Sequence, residues 1–315
     1  MTVCLYLSLS SAVCGRLYIK NIDNDNLYDV CNSSPVEKLN LKLCKFLLGV
    51  HRNSTNAAVR GELGRYPLLI NILNLASRYF ERVKSLGQDN LVKLSCTDMF
   101  IKDYALSWPS LMNKIYSNLN RTQSLKIHLE NIYSEKWANH IDSCRDNGKL
   151  NIYARFKKQF KLENYLLQFP SYFRRNFTKL RISAHSLAIE TARYTKHIET
   201  LKDKRLCFHC KEIETEYHFI FNCPLYFTQR ENLYVELSNI LTIDIKPSDD
   251  FFHLLMSGLD GDLEVTKYFC EYLNECFSLR SDMLSHTRET NLLQRNKAVV
   301  TRCGRLSKRP TILDL

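Results

Sequence analysis

Glycine and proline are scarce in this chain, at nine and seven of 315 residues. A turn-rich β-sandwich needs more of both, so the composition points to helices. No run of 18 apolar residues occurs, which excludes a recognisable transmembrane helix. Acidic residues are in deficit, 33 against 44 Lys and Arg, for a net charge of +11. A chain this basic is suited to phosphate-bearing partners. Cysteine is not scarce, with twelve. Nine of them stand singly within apolar helical patterns, as free thiols do in a reducing compartment. The opening MTVCLYLSLSSAVCG has a short apolar run and small residues but no basic start, so a secretory leader is not expected and the chain reads as intracellular, in cytoplasm or nucleus.

The positive charge is regional. Residues 151–210 hold thirteen Lys and Arg and four acids, and residues 295–309 hold six basic residues and no acid. The rest of the chain is net acidic.

The expected architecture is mostly α, a multi-helix assembly with a small metal-binding segment and a disordered basic tail. Residues 1–34 have no assigned role. In SSPVEKLNLKLCKFLLG, Ser34, Pro35 and Glu37 make a helix start with a capping box. Leu39, Leu43, Phe46 and Leu47 read as its inward face. Pro67 opens a longer helix with Leu69, Leu73, Ala76 and Phe80 inward, and Gly87 stops it. Further helices are expected near 89–104, 109–119 and 122–142, the last with a stripe through Leu125, Leu129, Ile132, Tyr133, Trp137 and Ile141. RDNGK at 145–149 is a turn and a soft boundary. It separates a helical region, 35–145, from a basic helical region, 150–235. Helices at 236–290 follow, with Ser248 as a cap and a long helix over about 262–286. The tail, 291–315, lacks an amphipathic period.

Residues 205–226 read RLCFHCKEIETEYHFIFNCPLY. Cys207, Cys210, His218 and Cys223 form a C-x2-C-x7-H-x4-C pattern. Zinc takes four such ligands in a tetrahedron, and a fully protein-ligated ion is structural. The expected cofactor is therefore structural Zn2+, whose binding folds the segment. His209, inside the first pair, is read as pointing to solvent or phosphate.

The stretch YARFKKQFKLENYLLQFPSYFRRNFTKLR interleaves rings with cations. Most of its rings, among them Phe156, Phe160, Tyr165 and Phe169, are read as core. Lys157, Lys158, Arg174, Arg175, Lys179 and Arg181 are the expected phosphate contacts, with a steep salt dependence.

The segments KLNLKLCKFLLGVHRNSTNAAVRGELGRYPL and LRISAHSLAIETARYTKHIETLKDKRLCFHCKEIETEYHFIFNCPLY, in that order, resemble the region that follows the polymerase core in polyproteins of non-LTR (LINE-type) retrotransposons. The likeness spans about residues 35–235 and includes Asn56, Ala58 and the run Gly61-Glu62-Leu63-Gly64-Arg65. It implies a C-C-H-C metal site on the four residues already named, and a surface that contacts the polymerase core. The aromatic-x-Asp-Asp turn of a reverse transcriptase is absent, so no polymerase activity is expected. Lys246-Pro247-Ser248-Asp249 with Asp262 is a poor echo of a restriction-like nuclease, and Asp249 and Asp250 read instead as helix N-terminal acids. The expectation is a non-catalytic module that binds nucleic acid, RNA in preference to DNA, and no membrane. A zinc-stabilised protein-interaction module is the alternative, and a degenerate nuclease the weaker one.

Overall fold

The computed structural model describes residues 27–33, 35–101, 107, 109, 110, 112, 113, 124–146, 148–194, 204–243, 245–257 and 263–302, with side chains to residue 286. Among them the secondary structure is helical, apart from two isolated antiparallel bridges. No described helix is long and apolar enough to cross a membrane. The expected 109–119 helix, Ser34, most of the N-terminal segment, Asp262 and residues 303–315 lie largely or wholly outside the described residues.

Two hydrophobic cores follow one another along the chain. The first is built by α1 (Leu27–Ser33), α2 (Pro35–Leu48), α3 (Asn56–Leu63), α4 (Leu68–Lys84), α5 (Leu91–Ile101), α6 (Leu125–Ser143) and α7 (Asn151–Phe156). Helix α4 buries Leu69, Leu73, Ala76 and Phe80 as its spacing predicts. It packs on α6, which Ser124 caps through the Ile127 amide and which buries Leu125, Leu129, Tyr133, Trp137 and Ile141. Two polar side chains carried into this core reach backbone carbonyls of α3. Trp137 Nε1 donates to the Ala57 carbonyl at 2.9 Å and Tyr153 Oη to that of Ala58 at 3.3 Å. Leu150, Tyr153 and Ala154, which follow the expected turn, also belong to the first core.

The second core is built by α8 (Ser171–Arg181), α9 (Phe227–Ser238), α10 (Asp249–Ser257) and α11 (Leu263–Arg302), with the cysteine-histidine segment inserted between α8 and α9. Helix α11 packs along α8 and α9 and buries Val265, Phe269, Tyr272 and Cys276. Ser248 caps α10 through the Phe251 amide, with Asp249 and Asp250 exposed in its first turn, where the helix dipole favours acids. Helix α11 continues to Arg302, well past the expected end at 286. Part of the expected disordered tail is therefore helical.

The start of the chain departs from expectation in one instructive way. Leu39, Leu43, Phe46 and Leu47 do not face the core; Leu39 is 68% and Phe46 80% exposed. The buried side of α2 is Glu37, Asn40, Leu41, Cys44 and Leu48. Glu37 also has partners beyond its own helix. Its carboxylate accepts from Arg60 at 2.8 Å and from the Leu69 amide at 2.9 Å, so it caps α4 from another helix. A buried carboxylate must be paired, and that pairing fixes which side of α2 turns inward.

The Gly61-Glu62-Leu63-Gly64 run, at the end of α3, sets Glu62 against Tyr165 and Arg181. A Cβ on Gly61 would stand 2.5 Å from the Trp137 ring and 2.6 Å from Tyr153 Oη. Gly64 ends α3 at φ +53°, and a Cβ there would meet the Leu162 amide nitrogen at 2.3 Å. Only glycine allows this close approach. It lets Leu63 pair with Leu162, so Glu62 and Glu163 enter the interior side by side.

Candidate metal centre

The segment 205–226 has little regular structure of its own. Leu206 and Ile213 pair as a minimal hairpin, closed by the Glu214 amide on the Arg205 carbonyl and the Cys207 amide on the Glu212 carbonyl, at 2.8 and 2.7 Å. Lys211, at φ +66°, turns the chain back, and its amide reaches the Cys207 carbonyl. This loop presents Cys207 and Cys210. The chain then forms one wide helical turn, His218–Asn222, closed by the Cys223 amide on the His218 carbonyl at 2.9 Å. An i→i+5 closure of this kind is uncommon and clusters at functional sites. It places His218 and Cys223 opposite the first pair.

Side chains from elsewhere hold the wide turn. Arg230 of α9 donates to the Ile220 and Cys223 carbonyls at 2.9 and 2.6 Å. Tyr272 of α11 donates to the Ile220 carbonyl at 2.8 Å. Phe219, Ile220 and Phe221 then fill the second core.

The four ligand atoms of Cys207, Cys210, His218 and Cys223 all lie within 4.8 Å of one another. The Cys207 and Cys223 sulfurs are 3.9 Å apart, and Cys210 Sγ is 3.2 Å from His218 Nε2. Tetrahedral bonds of about 2.3 Å to sulfur imply ligand-ligand edges of roughly 3.8 Å. The cluster is thus of a size that could hold a metal ion. His218 Nδ1 lies 3.1 Å from the Glu212 carboxylate, the outer contact that fixes the tautomer of a metal-bound histidine. Burial raises the Cys207 thiol and pushes Cys223 up to about 12. Both are protonated at neutral pH without an ion, so ligation must release protons. All four positions are protein groups, which leaves no open site for a substrate. His209 is exposed and outside the cluster.

The acids between the ligands carry more than the sequence suggested. Glu212 meets His218, Glu214 meets Arg280 of α11 at 2.7 Å and the Ala188 amide at 2.5 Å, and Glu216 meets His185 at 2.9 Å. Their alternation in E-I-E-T-E was the readable signal.

The six expected phosphate contacts divide. Lys157 and Arg181 are corrected: they are 4% and 1% exposed. Arg181 donates to Glu62 at 3.0 Å, to Glu163 at 2.9 Å and to the Met256 carbonyl. Lys157 pairs with Glu163 and donates to the Lys161 carbonyl at 2.8 Å. Tyr165 Oη adds a 2.6 Å bond to Glu62. Two carboxylates thus balance two cations, as burial demands. Burial alone would lower the Arg181 pKa, and Glu62 and Glu163 more than reverse it. Arg174 is half-buried and donates to the Phe169 carbonyl at 3.0 Å. Lys158 and Arg175 are exposed and Lys179 is half-buried. Burial and the nearby Arg175 charge lower the Lys179 pKa. The rings Phe156, Phe160, Tyr165 and Phe169 pack into the cores, while Tyr172 is 76% exposed.

No family model, no curated protein and no solved structure matches the chain.

Proposed function

We propose that this chain is a zinc-stabilised, non-catalytic nucleic-acid-binding module of the kind that follows the polymerase core in non-LTR retrotransposon polyproteins, and that it binds RNA in preference to DNA. The supporting observation is that the four-ligand cluster and the basic helix α8 share one hydrophobic core. A metal that orders 205–226 thereby also orders the helix bearing Arg175, Lys179 and exposed Tyr172. Zinc is the ion chosen by three thiolates and an imidazole at tetrahedral spacing. Phosphate contact is the work of the accessible cations, Lys158, Arg175 and Lys179. The buried Lys157 and Arg181 hold the fold beneath them.

Fluorescence anisotropy of the full chain with short RNA and DNA across a salt series tests the reading. Affinity should fall steeply with salt and fall further in the Arg175→Gln, Lys179→Gln double variant. Absent or salt-independent binding at low ionic strength contradicts it.

One observation favours a second reading, a protein-interaction module. Val36, Leu39, Leu43, Phe46 and Leu47 make a continuous exposed apolar stripe on α2, and such stripes mark contact surfaces. The same titration separates the two, because a protein-binding face does not respond to RNA.

A further inference from the structure

Two ridges of cations, one on each hydrophobic core, meet where α2 ends against α8. On α2, Lys38, Lys42 and Lys45 stand at i, i+4 and i+7 and so share one face. That face leads to Gly49, just past the end of the helix. On α8, Tyr172, Arg175 and Lys179 stand at i, i+3 and i+7 and share another. The two helices pack together. A Cβ on Gly49 would stand 3.0 Å from Arg175 Nε, so the Arg175 stem lies directly against the end of α2. The ridges are therefore one strip that crosses from the first core to the second.

The strip carries five cations and no acid. Lys38, Lys42 and Arg175 are exposed, and Lys45 and Lys179 are half-buried. The single acid of α2, Glu37, is on the core side and paired with Arg60, and α8 has none. None of the five cations pairs with a carboxylate among the described residues. Lys45 gives one donor to the Arg52 carbonyl at 2.8 Å, which fixes its ammonium and leaves two N–H groups. Burial and the Lys149 charge lower the Lys45 pKa, and burial and the Arg175 charge lower that of Lys179. Like charge surrounds both ends of the strip. Lys149 itself is paired with Glu190 at 3.7 Å and is not counted.

Two features select the ligand. The cations are strung along two helices and not gathered in a pocket, which suits a chain of singly charged phosphates. Tyr172 is 76% exposed on the face that bears Arg175. A ring so placed stacks on an unpaired base, a face that a duplex does not offer. The strip is also distinct from the apolar stripe of α2. Leu39, Leu43 and Phe46 each follow one of the lysines by one position and so point about 100° away from it.

We propose that a single-stranded polynucleotide lies along this strip, with phosphates on Lys38, Lys42, Lys45, Arg175 and Lys179 and one base on Tyr172, and so spans both cores. This rests on the nucleic-acid reading and adds to it the α2 half of the contact and the single-stranded form of the ligand.

The full chain, prepared with zinc, is titrated across a salt series with a short single-stranded RNA and with a blunt duplex of the same sequence. Five phosphate contacts predict a slope of log affinity on log salt of about −3.5 for the single strand. The Lys38→Gln, Lys42→Gln double variant, which alters only exposed side chains, should reduce that magnitude by about 1.4. Lys38→Arg, Lys42→Arg should keep the parent slope. Tyr172→Ala should weaken single-strand binding on the order of tenfold and leave duplex binding within about twofold. A glutamine variant with the parent slope, beside an Arg175→Gln, Lys179→Gln variant that loses about 1.4, confines the ligand to α8; it overturns the strip and leaves the nucleic-acid reading standing. An arginine variant that loses as much as the glutamine variant makes the effect structural and also overturns the strip. No loss with Tyr172→Ala, or an equal loss for the duplex, overturns the single-stranded ligand. Absence of all binding at low salt overturns the nucleic-acid reading and the strip with it.

Discussion

In the first core, α4 and α6 meet along continuous apolar faces, and the helices satisfy nearly all their own backbone groups. In the second core, the segment 205–226 contributes Phe219, Ile220 and Phe221 to an equally dry interior, yet it has one bridge and one wide turn. Its backbone is secured from outside by Arg230 and Tyr272 and its acids by Arg280 and His185, and its two halves meet at the Cys207, Cys210, His218 and Cys223 cluster. A regular helix needs only a face to be buried. An irregular segment needs cross-links, and here the four-residue cluster could hold a metal ion that supplies one. The second core should therefore depend on the ion, and the first should not.

The largest expected effect follows from that contrast. Cys210→Ser, or a strong chelator, removes an interaction of about 10 kcal/mol in apparent terms at neutral pH for zinc. Hydrogen exchange should become fast through 205–240 while amides around Tyr133 and Trp137 stay protected. Loss of protection in both cores together would show one cooperative unit and break the contrast.

Next comes the seam. Arg181→Met leaves Glu62 and Glu163 buried beside Lys157 alone, at a cost of about 3–5 kcal/mol. Adding Glu62→Gln should recover part of that loss. Denaturant midpoints at constant slope would measure both changes, and a single variant within 1 kcal/mol of the parent would contradict the pairing.

Two buried thiols report on the cores separately. Burial pushes Cys31, in the first core, and Cys270, in the second, up to about 12 from 9.0. A raised thiol leaves its stability intact below the unfolded value and loses it as pH rises toward the folded one. Between pH 9 and 12 each should cost about 1.4 kcal/mol per pH unit. Cys31→Ala and Cys270→Ala, followed by alkaline unfolding, should each flatten that slope; an unchanged slope would place the titration elsewhere.

The smallest effect is expected on α2. Phe46→Ser should change stability by no more than about 0.5 kcal/mol, because the ring is already in solvent. A larger loss in the full chain would mean that the stripe is covered.

These regions also differ in how far the sequence could be read. The faces of α4 and α6 follow from spacing, and the four metal positions follow from a pattern short enough to close locally. Helix α2 resisted, because at ~100° per residue its apolar positions cover roughly 220° of the circumference. Periodicity finds such a stripe but does not say which half turns inward. Glu37 decides, through Arg60 and the Leu69 amide. Charge counting failed for a related reason. Nothing local distinguishes Lys157 and Arg181 from Arg175. Arg181 is buried because Glu62, 119 positions away, is brought to it by two glycines that tolerate contact with Trp137 and Leu162.

Metal stoichiometry of the purified chain, read together with thermal stability before and after chelation, tests the central claim most directly. The account predicts one zinc per chain, lost on chelation together with the order of the 205–226 segment and restored by added zinc. A metal-free chain whose second core is as stable as that of a zinc-loaded sample would contradict it.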